Sequence, residues 1–436
     1  MAVAFADSSI VVLALPDLYG AFDTSIEGVA WVITSYNLVV AVGALALVPV
    51  VRRADAALVA RIGLGLFLAA SVGCAASWSL SALIAFRCLQ GVGAALLLAG
   101  ALPLLAALTS SPVRGTAAWA TAGTLGIAVG PALGGVLTQL FDWRAIFVAQ
   151  APVAGAALLA VRPRGPSGSP AAFRRRRQGS ALLADLGLAL VFGALVGALF
   201  LSVLLVITVW GLSPIAGAGV VSALPVAAIA ARPLARHVPP GLVAFVCAVL
   251  LAAGLVALAL LPRVSDALVA VALALCGLGL GLAVPVLTRA AVDPESADAR
   301  SGALTVGARH VGLVLALVVV APLLSSELER GGQRALLAGT RVILDGSIPL
   351  TKKVPIALDL RDALEQSPKG EVPDLAEPFD RRGAGSDARL RRLRDSLVVT
   401  LEGTITRSFR SSFAVAALFA ALAAIVGLRL RKALAV

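Results

Sequence analysis

Charge is scarce in this chain. Asp, Glu, Lys and Arg make up 14% of its 436 residues, and hydrophobic residues 59%. A soluble domain would carry about 25% charged residues. The shortage excludes a large soluble core, whose helices are shorter and separated by charged faces. Cysteines number four (Cys74, Cys88, Cys247 and Cys276), all within apolar stretches, with no CxxC pair and no Cys/His cluster. That indicates neither a disulfide framework nor a metal site, and the four read as packing residues. Aromatics are few, at 5%. No catalytic set appears, so an enzyme is the weakest class and no cofactor is expected. No basic region followed by a small-residue cleavage site opens the chain, so no cleavable signal peptide is read.

What is present is apolar sequence in long runs, with a mean hydropathy of +0.97. Runs of about 18 or more apolar residues mark membrane-spanning helices. Twelve are read, near 1–18, 29–50, 58–77, 80–107, 116–139, 144–162, 183–210, 213–231, 241–261, 265–288, 301–324 and 409–430. The expected fold is all-α and polytopic, with a polar insert before the last helix. The first span is short. Met1 to Leu15 gives roughly 22 Å of helix against about 30 Å of hydrocarbon, so either Pro16 lies inside the helix or the start codon lies upstream.

The net charge of +12 raises a nucleic-acid partner, but its distribution argues for membrane orientation instead. An even number of spans puts both termini on one side. Loops on that side hold Arg52, Arg53, Arg61, Arg114, Arg162, Arg164, Arg174 to Arg177, Arg232 and Arg236. The opposite short loops hold Arg144 and Arg263 against Asp17, Asp23, Glu27, Asp142 and Asp266. Both termini are therefore expected in the cytoplasm. Arg outnumbers Lys 32 to 4, which together with abundant Ala suggests a high-GC bacterial genome and hence a bacterial plasma membrane.

Two polar interruptions divide the chain. An Arg/Pro/Gly-rich linker, 163–182, separates an N-terminal six-helix bundle, 1–162, from the first five helices of a second bundle, 183–324. Its four-Arg run suits contact with anionic lipid. The second interruption, 325–408, carries fourteen Lys/Arg against thirteen Asp/Glu between 325 and 407, and the topology places it outside. The last helix and tail are 409–436. Leu390, Leu393, Leu397, Leu401 and Ile405 give one apolar helical stripe. Pro349, Pro355, Pro368, Pro373 and Pro378 read as loop punctuation.

Four constellations sit inside the spans. Asp7, in AFADSSIVVLALP, is an intramembrane acid, and a carboxylate near the bilayer centre costs about 2.5–3.5 kcal/mol. Ser8 and Ser9 offer it local hydrogen bonds as the structural alternative. Arg87 with Gln90 and Gly91, in RCLQGVGAALLLAG, needs a partner or must snorkel to the interface. Gly126, Gly130 and Gly134, in GTLGIAVGPALGG, fall four apart and form a narrow face for close helix contact, with Gly135 beside it. Pro131 removes a backbone hydrogen bond there. Arg309 and His310 form the fourth. A histidine there can titrate near neutral pH, or simply hydrogen-bond a neighbouring helix.

In this order, ADSSIVVLALP, FRCLQGVGAA, GIAVGPALGG and DWRAIFVAQAP resemble the first-, fourth-, fifth- and sixth-helix sequences of the major facilitator superfamily. The specific likeness is to its drug:proton antiporter branch, and it covers most of the membrane chain but not the insert. The resemblance implies two six-helix bundles that move about a central site. It implies a small-molecule substrate and protons as partners, with Asp7 as a proton-linked acid, and Arg87 and Gln90 tuning it or contacting the proton path. Gly126, Gly130, Pro131, Gly134 and Gly135 would pack and bend helix five. The family's gating loop between helices two and three is Gly-rich. Here it reads VPVVRRADAALVARIGL, with Arg52, Arg53, Asp55 and Arg61 as gating candidates but no glycine pattern.

What the resemblance implies is proton-coupled export, expected of a monomer; the dominance of Ala, Leu, Val and Gly in the spans adds that the molecules carried are small and amphipathic. The alternatives are proton-linked uptake or metabolite movement on the same fold, and a non-transporting sensor or partner protein that uses the insert for binding.

Overall fold

A computed structural model describes residues 1–161, 178–233, 240–262, 264–292, 299–346, 348–366, 379 and 387–435. Among these the regular structure is helical throughout. Helix starts follow the serines. Ser25, Ser79, Ser111, Ser213 and Ser265 each accept a hydrogen bond from a backbone N–H three residues on. Each thereby satisfies a donor that the first helical turn leaves unpaired. Pro112 and Pro214 follow two of these caps, where a missing N–H costs nothing.

The N-terminal half comprises α1 (Ala2–Val12), α2 (Leu15–Ala21), α3 (Ile26–Ala46), α4 (Val48–Arg53), α5 (Ala56–Ala75), α6 (Leu80–Leu108), α7 (Pro112–Leu140) and α8 (Arg144–Ala160). The C-terminal half comprises α9 (Gln178–Val203) with a π-helical turn at Leu204–Val209, α10 (Pro214–Val221), α11 (Ala223–Ala231), α12 (Pro240–Ala259), α13 (Asp266–Ala291) and α14 (Ala299–Asp345). It ends with α15 (Leu350–Gln366), α16 (Ala388–Ser408) and α17 (Arg410–Ala435).

Eight helical segments among the described residues are long and apolar enough to cross a bilayer, and the α1–α2 pair, bent by 59°, makes a ninth. Three shorter apolar helices, Val129–Leu140, Arg144–Ala160 and Ala244–Ala259, fall on the remaining predicted spans. The first span is thus two helices, with Pro16 in the first turn of the second.

Small residues bring the helices together. A Cβ on Gly63 of α5 would lie 2.7 Å from the Gly93 carbonyl oxygen of α6, and one on Gly93 would lie 2.8 Å from the Gly63 oxygen. Neither position can hold a side chain at this separation. In the N-terminal half α1 packs on α7, α3 on α6, and α5 on both α6 and α8; in the C-terminal half α9 packs on α17 and α13. Helix α14 bridges the halves by packing on both α9 and α3, while α1 touches α9 and α7 touches α10.

The polar segment is built on extended spans. Helix α14 runs 47 residues, about 70 Å, so its second half must project beyond the roughly 30 Å hydrocarbon layer. It does not end near Leu324, because an apolar stripe continues along its polar part. Ala335 and Ile343 of that stripe meet Leu390, Leu393, Leu397 and Leu401 of α16 in a separate small core. The stripe read from sequence is the one buried, with Ile405 partly covered. One expectation fails here: Pro355 lies inside α15, not in a loop. The lost hydrogen bond falls near the helix start, and the fully buried Ile356 that follows holds the helix against the same core. Pro368, Pro373 and Pro378 lie outside the described residues.

Candidate functional site

Asp7 and Arg87 meet. Both side chains are 0% exposed, and Arg87 Nη1 stands 2.6 Å from Asp7 Oδ2. Arg87 therefore does not snorkel: its Nε donates to the Val32 carbonyl at 2.9 Å. Its guanidinium carbon lies 4.4 Å from the centroid of the Tyr36 ring, a cation–π contact that a desolvated site strengthens. The Tyr36 hydroxyl in turn donates to the Ala4 carbonyl at 2.8 Å, tying α3 to α1.

Two glutamines close a ring around this pair. Arg87 Nη1 donates to Gln90 Oε1 at 2.6 Å. Gln90 Nε2 donates to Gln150 Oε1 at 2.7 Å, and also to Ser71 Oγ at 2.9 Å. Gln150 Nε2 donates to Asp7 Oδ1 at 2.9 Å. Within the ring each amide accepts from the group before it and donates to the group after it, while Gln90 Oε1 also accepts from Cys74 Sγ at 3.9 Å. The run must therefore start at a group that only donates and end at one that only accepts. Guanidinium and carboxylate are those groups. The last link is electrostatic rather than directional, since Asp7 Oδ2 accepts no aligned hydrogen bond.

Helix α1 has a second role. Residues Phe5, Ser8, Ser9 and Val12 line a narrow cavity against Phe192, Leu195, Val196 and Leu199 of α9 and Arg309, His310 and Leu313 of α14. The cavity therefore lies between the halves. Ser8 Oγ donates to Asn37 Oδ1 at 3.0 Å, and His310 Nδ1 reaches the same oxygen at 2.7 Å. That chain links α1, α3 and α14. The halves touch beyond both ends of the cavity: Gly302 and Gly307 of α14 approach Leu102 and Ala41, and α2 packs on the π-helical turn.

A second polar cluster stands in the C-terminal half. Thr305 Oγ1 donates to Asp185 Oδ1 at 2.9 Å, and Arg309 Nη2 donates to Thr288 Oγ1 at 2.6 Å. The Arg309 guanidinium carbon lies 5.0 Å from the Trp119 ring centroid, 5.3 Å from Phe192 and 5.8 Å from Phe5.

Comparison with known proteins decides the family. Residues 1–317 match the profile described as Major Facilitator Superfamily. The chain belongs to the major facilitator superfamily. Its helices include segments long and apolar enough to cross a membrane several times, and its sequence likeness lies with resistance and efflux proteins. The methylenomycin A resistance protein of Bacillus subtilis is 37% identical over 161 residues, covering 35% of this chain and 34% of that protein. The multidrug resistance protein Stp of Mycobacterium tuberculosis is 32% identical over 152 residues, covering 34% and 28%. The matches thus span about a third of these curated relatives. Among solved structures, a bacterial homolog to the human lysosomal transporter Spinster, inward-facing and occupied, superposes with a TM-score of 0.67. That comparison covers 99% of this chain and 94% of the other at 15% identity, and it shows the shared fold.

In this member of the superfamily the glycine face of α7 lies against α1. A Cβ on Gly134 would stand 2.6 Å from the Ile10 carbonyl oxygen, and one on Gly126 would collide with the Ala2 carbonyl. Gly135 faces the other way, where a Cβ would meet Ala218 and lie 2.8 Å from the Pro214 oxygen of α10. One short stretch thus serves a contact within the N-terminal half and a contact across the halves. Pro131 lies inside the continuous helix.

The gating candidates have local partners. Asp55 caps α5 by accepting from the Ala57 N–H at 2.8 Å. Arg61 Nη1 donates to the Val161 carbonyl at 2.7 Å, closing the exposed end of α8. Arg52 and Arg53 fall in α4, and their side chains lie outside the described residues. Cys74, Cys247 and Cys276 are buried and Cys88 is half-buried.

Sequence reasoning missed Gln150 and Asp185 as site residues. Gln150 stands in the DWRAIFVAQAP stretch that carried the family resemblance. Asp185 is an acid within an apolar span, and the rule that singled out Asp7 applies to it equally.

Proposed function

We propose that the chain is a proton-coupled exporter of small amphipathic molecules working by alternating access. The observation that carries this reading is the ring in which three hydrogen bonds and one ion pair join Asp7, Arg87, Gln90 and Gln150. It is complete only while Asp7 is ionised. A proton on Asp7 puts a donor where the ring needs an acceptor, and it leaves Arg87 buried without its counter-ion. Breaking one side of a buried pair costs about 3–5 kcal/mol, enough to shift a balance between two arrangements of packed helices. The moving part is α1, which presents Asp7 to the ring and Ser8 and Ser9 to the cavity between the halves. Proton occupancy and cavity shape are thereby linked.

The bundles that move are 1–162, and 183–324 with 409–436, joined through 163–182; repeats of this kind rock about a midplane site. The apolar cavity wall suits hydrophobic or weakly polar substrates. The test is flux of an amphipathic dye in proteoliposomes under an imposed pH gradient. Export that collapses with an uncoupler supports exchange. Gradient-driven accumulation in the opposite sense favours uptake, and no gradient-dependent flux for any dye in a panel leaves a sensor or partner role.

Orientation follows from the arginine asymmetry, with both termini in the cytoplasm of a bacterial cell and 325–408 outside. A reporter fused near Gly168 is expected to be cytoplasmic and one near Gly370 external. Both on one side of the membrane would overturn the twelve-span topology.

A further inference from the structure

We infer that the cavity between the halves is an acid-recognition site, with Arg309 holding the carboxyl head of an amphipathic ligand. The inference deepens the transport reading above and rests on it for the cavity's role. The two buried arginines among the described residues each leave one nitrogen without a partner, Nη2 of Arg87 and Nε of Arg309, and they differ in their counter-charge. Arg87 has a carboxylate at 2.6 Å. Arg309 is 3% exposed, yet among the described residues no carboxylate oxygen lies within ion-pair distance of it. The carboxylate of Asp185, in the same polar cluster, is hydrogen-bonded to Thr305 instead. One Arg309 nitrogen donates to Thr288; the residue lines the cavity, and its buried Nε has no partner. Aromatic rings on three helices cradle the guanidinium without using that donor.

A buried donor left unpaired is costly, and more so when it is charged. His310 beside it repeats the pattern. Its Nδ1 is held by Asn37 Oδ1, while Nε2 is buried in the cavity wall without a partner. Asn37 Oδ1 already accepts from Ser8, so the hydrogen on Nδ1 points to it and Nε2 is left as an acceptor. The cavity thus offers a cationic donor and a neutral acceptor side by side. A protonated carboxyl group answers both: its carbonyl oxygen accepts from Arg309 and its hydroxyl donates to Nε2, so an acid ionised in solution takes up one proton from water as it binds. An amine answers only the second and meets a like charge. The remaining wall (Phe5, Phe192, Leu195, Leu313) is apolar, so the ligand body is a small hydrocarbon or aromatic group.

The test is binding by the purified full chain in lipid nanodiscs, with empty nanodiscs subtracting partition into lipid. Phenylbutyrate, its methyl ester and phenylbutylamine share one body and differ in the head. Phenylbutyrate is expected to bind about tenfold or more tighter than either, the margin of a hydrogen bond to a charged group. Arg309→Gln should bring phenylbutyrate down to the level of the ester, and Arg309→Lys should keep part of the preference. Should Arg309→Gln fail to fold, His310→Leu is expected to weaken phenylbutyrate severalfold and leave its methyl ester, which has no proton to give Nε2, unchanged. Equal affinity for acid and ester, no measurable binding of the acid, or a preference that survives Arg309→Gln would each overturn the inference. Binding needs no gradient, so the two readings fail separately. Acid preference without gradient-driven flux refutes proton-coupled export alone, and gradient-driven flux without acid preference refutes the acid site alone.

Discussion

Asp7→Asn is expected to abolish proton-driven transport while the protein still inserts and is recovered from the membrane. The substitution keeps the shape of the side chain and exchanges one acceptor for a donor. Asp7 now accepts from Gln150 Nε2 through Oδ1 and faces Arg87 Nη1 through Oδ2. Asparagine can turn its oxygen to only one of them. If it faces Arg87, two amide NH2 groups confront each other at Gln150. Flipping Gln150 moves the clash to Gln90, and flipping Gln90 moves it to Arg87, which has no acceptor to offer. The fault travels round the ring and cannot leave it. Arg87 meanwhile keeps its charge in a site with no exposure. The expected consequence is a loss of thermal stability on the order of 3–5 kcal/mol and gradient-driven flux at the background of empty liposomes. Asp7→Glu should recover part of the flux, because it restores an acceptor-only group. Wild-type flux under a pH gradient in the Asn variant would reduce Asp7 to a tolerated polar residue.

Hydropathy located the helical passes because lipid burial and apolar composition are the same property. It could not locate the end of α14, since hydropathy reports where lipid ends and not where a helix ends. The amphipathic face carrying Ala335 and Ile343 keeps the helix going in a polar stretch. Single members of the site were legible for a similar reason. Asp7 and Arg87 are conspicuous among apolar neighbours, and each demands a partner. That they partner each other was not legible: they stand 80 positions apart, and no spacing rule within one helix connects them. Gln150 escaped notice because a neutral amide carries little hydropathy penalty, although it completes the ring. The four-residue glycine rhythm of α7 was readable, but the identity of the opposing helix emerges only from the packing, where α1 fills the face.

That packing makes Gly130→Leu the sharpest structural perturbation available. A Cβ at Gly130 would coincide with Ser9 Oγ, stand 2.8 Å from Ser9 Cβ and stand 3.2 Å from the Ile10 nitrogen. The hydroxyl cannot simply swing aside, because it donates to the Ala6 carbonyl at 2.8 Å and lines the cavity. Nor can α1 withdraw freely, since Asp7, two residues before Ser9, is fixed by Arg87 and Gln150. Overpacking of this kind typically costs 1–3 kcal/mol, and here the strain falls on the helix that joins the ring to the cavity. Leucine is favourable in the bilayer, so insertion and expression should stay near wild type while transport is lost or the protein leaks protons. The comparison is Ala117→Leu, at an exposed position of the same helix, which should transport within about twofold of wild type, as surface substitutions usually cost under 0.5 kcal/mol. Flux and proton leak are measured in the same liposomes, with protein content matched. Gly130→Leu transporting at the wild-type rate without added leak would mean that α1 can move away from α7 at no cost. The close contact would then be ordinary membrane packing, and the route from proton to cavity would have to run through a different helix.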